Sequence, residues 1–79
     1  PHELMILSLF LNRYGYLDHL EVKEVLPFER FMHRHFVEKE QDILARLSKE
    51  YRLDDALIED IKKVMDKLME EFKAGYHGI

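Results

Sequence analysis

The 79 residues make one small domain, residues 1–79, and leave no room for a second. Cys is absent, which excludes disulfides and thiolate metal sites; 12 basic against 16 acidic residues, a net charge of -4, argue against nucleic acid as the main partner. A chain of this size buries only about 60% of the surface its unfolded form exposes, so a partner protein is the expected source of further burial.

Gly (3) and Pro (2) are scarce and 35% of residues are charged, the balance of helices with one wet face. The expected fold is therefore all-α, a small bundle of about four helices. The first segment, residues 3–11, is apolar nearly all round (Leu4, Met5, Ile6, Leu7, Leu9, Phe10, Leu11). Such a helix belongs buried on every side, although a short apolar run also suits a strand. It is far below the roughly 20 residues of a membrane span. No basic residue precedes it and no small-x-small site follows, so it does not read as a secretory signal. Pro1 implies either a removed initiator Met or a cut from a larger precursor.

Asn12-Arg13-Tyr14-Gly15 then breaks the pattern, with Gly15 suited to a left-handed helix end. Asp18 is expected to accept bonds from free amides in the connection that follows. A second helix over residues 22–36 places Val25, Phe28, Phe31, Met32 and Phe36 on one face. Pro27 conflicts with it, since proline inside a helix costs about 3 kcal/mol. Two resolutions are open: regular helix begins near Leu26 with Pro27 in its first turn, or the helix kinks. The third helix, residues 39–51, buries Ile43, Leu44, Leu47 and Tyr51. The last starts at Asp54 or Asp55 as N-cap and carries a stripe of Leu57, Ile61, Val64, Met65, Leu68 and Phe72 ending at Gly75. Three amphipathic stripes do not suffice to enclose the first segment, so another polypeptide is expected to cover part of it.

At Gly15-Tyr16-Leu17-Asp18 the chain resembles the alpha subunit of the rotary proton-translocating ATP synthase. The likeness continues in order through Phe28-Glu29, a charged third helix, the acidic cap at Asp54-Asp55, and the close Phe72-Lys73-Ala74-Gly75-Tyr76. That close is similar to the Phe-x-Ala-Gly-aromatic tail of some mitochondrial members. The sequence departs from the family at Leu11-Asn12, where small residues are usual, at Pro27, and in the tail His77-Gly78-Ile79.

The resemblance implies the C-terminal helical domain, a structural part of the catalytic head. Its implied partners are the remainder of alpha, the beta subunits and the gamma rotor stalk. No site for a cofactor is implied within the chain; Mg-ATP and Mg-ADP would be bound by other parts of the assembly. The implied setting is the matrix side of the mitochondrial inner membrane or, alternatively, the cytoplasmic side of a bacterial one. The phosphate-cradling G-x-x-x-x-G-K-[ST] loop is absent from the sequence, so the family's phosphate loop and transition-state arginine correspond to no residue here. A divided alpha polypeptide or an excised fragment would account for this.

Other chemistries are weaker. His33 and His35 point about 200° apart on a helix and cannot share an ion. Glu29 and His33 share a face but lack a third ligand. Arg30-Phe31-Met32-His33-Arg34-His35-Phe36 interleaves basic and aromatic residues, yet helical spacing sends Phe31, Met32 and Phe36 to the core and Arg30 and Arg34 to water. Ser8 and Ser48 have no His partner nearby in sequence, so no catalytic residue is assigned, only pairing at a distance being left open. Met32 and Met65 read as core, and Met69 lies beside the main stripe. The alternative to the synthase reading is a free-standing helical adaptor or regulator.

Overall fold

A computed structural model describes residues 2–49 and 53–75. Four α-helices are described, α1 (His2–Arg13), α2 (Val22–Lys39), α3 (Gln41–Lys49) and α4 (Asp55–Gly75), with a 3₁₀ turn at Tyr16–His19 between the first two. No strand occurs among the described residues, so the first segment's ambiguity resolves to helix.

One core holds the bundle. Leu7, Phe10 and Leu11 of α1 meet Phe28, Met32 and Phe36 of α2, Ile43 and Leu47 of α3, and Leu57, Ile61, Met65, Leu68 and Phe72 of α4. Every one of these lies at the three-to-four spacing that its helix requires to bury a stripe. Phe31, Leu44 and Val64 are half-buried at its margin, Val25 is half-buried, and Arg30 and Arg34 are exposed. Leu11 is fully buried and fills core volume. Tyr51 lies outside the described residues.

As three single stripes imply, the first segment is only partly enclosed by the rest of the chain: Leu7, Phe10 and Leu11 are buried, whereas Met5 and Leu9 stay mostly in water. The other helices offer one stripe each and cover one side of α1. Two expectations are corrected. Regular helix does not begin near Leu26, because α2 runs from Val22 and holds Pro27 in its second turn. Pro27 and Lys23, whose carbonyl loses its partner, are both exposed, so water can serve that carbonyl. The helix start is also reinforced, as the Glu21 amide donates to the Glu24 carboxylate at 2.9 Å. Second, α3 starts at Gln41 rather than residue 39. Glu40 alone forms the joint, donating its amide to the Phe36 carbonyl at 3.1 Å and accepting from the Ile43 and Leu44 amides at 3.1 and 3.2 Å.

Asp54 is the N-cap of α4. Its carboxylate accepts the Leu57 amide at 2.7 Å and its carbonyl the Ile58 amide at 2.9 Å. Such a cap contributes about 1 kcal/mol.

Candidate functional site

The residues that carry the family likeness fall into two groups, and α4 brings both to one side of the bundle. The first is the turn. Gly15 has φ 77°, a left-handed conformation that costs an L-residue with a Cβ about 1 kcal/mol. Space does not impose glycine there, since an added Cβ would sit 3.6 Å from Asp18 Oδ2. The Asp18 amide closes the turn on the Gly15 carbonyl at 3.2 Å. The Asp18 carboxylate receives no amide, contrary to expectation, because it is exposed and the turn satisfies its backbone internally. Leu17 packs at the edge of the core.

Aromatic rings flank this glycine. Tyr14 packs on Phe10 with ring centroids 4.4 Å apart, and the Lys62 ammonium of α4 lies 4.7 Å from the Tyr14 ring centre. The Tyr16 hydroxyl donates to Asp66 Oδ1 of α4 at 2.8 Å. Burial, then that hydrogen bond, then the negative charges of Asp66 and Glu59 push the Tyr16 hydroxyl pKa well above the ordinary value of 10.0.

The second group is aromatic core. Phe28 meets Phe72 edge-on, with centroids 5.3 Å apart at 81°, and Phe31 lies 6.0 Å from Phe72. Such a pair contributes about 0.5–1.5 kcal/mol beyond its buried area. Glu29, next to Phe28, is half-buried, and Ala74 and Gly75 are exposed. Tyr76 lies outside the described residues. Beside these rings Lys73 donates to Glu24 at 3.2 Å, fastening the end of α4 to the start of α2. The Glu21 amide first, and Lys73 second, hold the Glu24 carboxyl below its ordinary range. Between the two groups lies an open groove of about 430 Å³ lined by Tyr16, His19, Asp66, Met69, Glu70 and Lys73. Met69 thus stands where its place beside the stripe predicts.

Candidates for chemistry find structural partners instead. Ser8 Oγ and His33 Nε2 share a hydrogen bond of 3.0 Å across the α1–α2 seam. Sequence reasoning missed this pair, whose members are 25 positions apart. No acid is bonded to the far side of the His33 ring among the described residues, so the third member of a nucleophile–base–orienter set is lacking. His35 pairs with Glu40 at 2.9 Å, bracing the α2–α3 joint. Ser48 donates to the Ala45 carbonyl at 3.0 Å. Among the described residues no three His, Asp or Glu side chains converge as metal ligands, and no helix is long and apolar enough to cross a membrane.

Residues 1–68 match the family model described as "ATP synthase alpha/beta chain, C terminal domain". The chain belongs to that family. ATP synthase subunit alpha of Aquifex aeolicus (strain VF5) is 31% identical over 72 residues, which is 91% of this chain and 14% of the relative. ATP synthase subunit alpha of Francisella tularensis subsp. novicida (strain U112) is 36% identical over 63 residues, 80% of this chain and 12% of the relative. The chain therefore spans about one-seventh or less of the length of these relatives. No solved structure matches it. The family match includes the Gly15 turn and Phe28-Glu29 but stops before Phe72, so the likeness of the tail lies beyond it. Both relatives are bacterial, and neither supports the mitochondrial setting that the tail suggested.

Proposed function

We propose that the chain serves as the C-terminal helical part of an ATP synthase alpha subunit, in a bacterial-type assembly. The observation that carries this reading is the match of residues 1–68 to the C-terminal domain of the family. In that role the domain is non-catalytic. It packs against the rest of alpha, the beta subunits and the gamma stalk, so that rotation and nucleotide chemistry stay coupled. Magnesium and adenine nucleotide are held by other segments of the assembly. The domain's contribution is stiffness and shape. α4 is tied to α2 through Phe72 and Lys73, to the turn through Asp66, and to α3 by the 2.6 Å bond from Arg46 to Asp60. A load applied to one helix is thereby shared by the others.

Replacement of the matched 72-residue region of the Aquifex aeolicus alpha subunit by this chain tests the proposal. The chimeric subunit is expected to assemble with the cognate beta and gamma subunits into a particle that hydrolyses ATP. A folded chimera that leaves beta and gamma unassembled would count against it.

A further inference from the structure

Cations that hold this bundle together have partners on another helix. Arg46 meets Asp60 at 2.6 Å and Lys73 meets Glu24 at 3.2 Å. Lys23, Arg30 and Arg34 stand apart. All three are exposed on α2, and they fall within about 40° of one another around its axis. The row they make lies opposite Phe28, Met32 and Phe36, the residues that α2 buries. Among the described residues no carboxylate lies within ion-pair distance of Arg30 or Arg34. Lys23 has a 3.9 Å contact with Glu21, their side chains 82% and 71% exposed, and such a contact contributes little. The acids of α2 are engaged elsewhere or idle: Glu24 holds Lys73, Glu29 is half-buried on another face, and Glu38 is exposed a turn beyond Arg34. Arg30 and Arg34, one turn apart, therefore repel each other without compensation. A chain of net charge -4 thus gathers three positive charges into one outward row.

We propose that this outer row of α2 docks an acidic helix of another polypeptide. Arg30 and Arg34 are separated by one turn, about 6 Å along the axis, and Lys23 and Arg30 by two turns, about 10.5 Å. A helix laid alongside α2 with carboxylates one turn and two turns apart repeats that spacing and meets each cation. The guanidinium groups suit this partner, because their planar fork takes a carboxylate through two parallel hydrogen bonds. A nucleic acid or an anionic membrane presents a continuous negative field, against which the net charge of -4 counts. A helix with a few acids engages the row alone. The stretch from Arg30 to Phe36 interleaves basic and aromatic residues in sequence, but the fold separates them, burying Met32 and Phe36 and leaving both arginines outside. Each exposed pair contributes little, so the contact is weak and salt-sensitive. The inference goes beyond the function proposed above and stands independently of it.

The test is titration of a synthetic alanine-based helix, its glutamates at the spacing of the row, into the nitrogen-15-labelled chain. The side-chain Nε–H signals of Arg30 and Arg34 are expected to shift at millimolar peptide or below in low salt. Those shifts should largely vanish at about 0.15 M salt, where exposed charges are screened. The double substitution Arg30→Gln and Arg34→Gln should weaken binding about tenfold. It should leave the thermal midpoint no lower, since both side chains are exposed and repel each other. No shift at millimolar peptide in low salt, or shifts confined to another face, would overturn the proposal. Equal binding of an isomeric peptide with its glutamates dispersed around the helix would overturn the helix as occupant. Tighter binding of inorganic polyphosphate, single-stranded DNA or phosphatidylserine vesicles would assign the row to phosphate and overturn it too.

Discussion

Tyr16 shows how one side chain ties a local turn to a distant helix. Its hydroxyl proton is shared with Asp66, 50 positions away, and the folded state holds that proton more tightly than the unfolded chain does. Near neutral pH both states keep the proton, and the contribution to stability is fully present. Above about pH 10 the unfolded chain ionises first, so the contribution falls as pH rises. Tyr16→Phe should cost about 1 kcal/mol at pH 7, because the Asp66 end of the bond faces water. Urea unfolding at pH 7 and again near pH 11 checks this, and the gap between the two proteins should narrow at the higher pH. Nothing in the sequence marks the partner: Asp66 has the ordinary spacing of a solvated α4 face. The glycine at position 15 was legible because φ 77° is a local demand, whereas Ser8–His33 and Tyr16–Asp66 arise only when helices meet.

At the scale of elements, periodic stripes were the legible part. The α4 stripe from Leu57 to Phe72 is buried as its spacing requires, apart from the half-buried Val64. The exceptions have local causes. A helix tolerates Pro27 because the carbonyl it strands, that of Lys23, lies at an exposed position and α2 begins with a Glu24 carboxylate on the Glu21 amide. That tolerance is incomplete. Pro27→Ala should stabilise the domain by about 1–3 kcal/mol, the restored helix bond being partly offset by greater freedom of the unfolded chain. A rise in thermal midpoint measures it, and a fall would mean that the proline ring makes a contact worth more than the bond. The one-residue joint at Glu40 was illegible for another reason. Lys39, Glu40 and Gln41 all favour helix, and only the packing of α3 against α1 and α2 dictates where the chain must bend.

For the whole molecule, the core is small and shared by all four helices, so it has little redundancy. Phe28→Ala should cost about 3–5 kcal/mol in a domain whose stability is of the order of 0.05–0.15 kcal/mol per residue. Far-UV circular dichroism at 25 °C should then show substantial loss of helix, whereas retention of a sharp transition near the wild-type midpoint would show a more robust core than this packing implies. The apolar excess of α1 was visible in the sequence, and the structure narrows it to Met5 and Leu9. The central claim is that this domain works as part of an alpha subunit, and the composition of the native particle tests it most directly. Mass spectrometry of the complex purified through this chain from its own cells should find beta, gamma and the phosphate-loop portion of alpha together with it. A stable monomer free of all three would contradict the account.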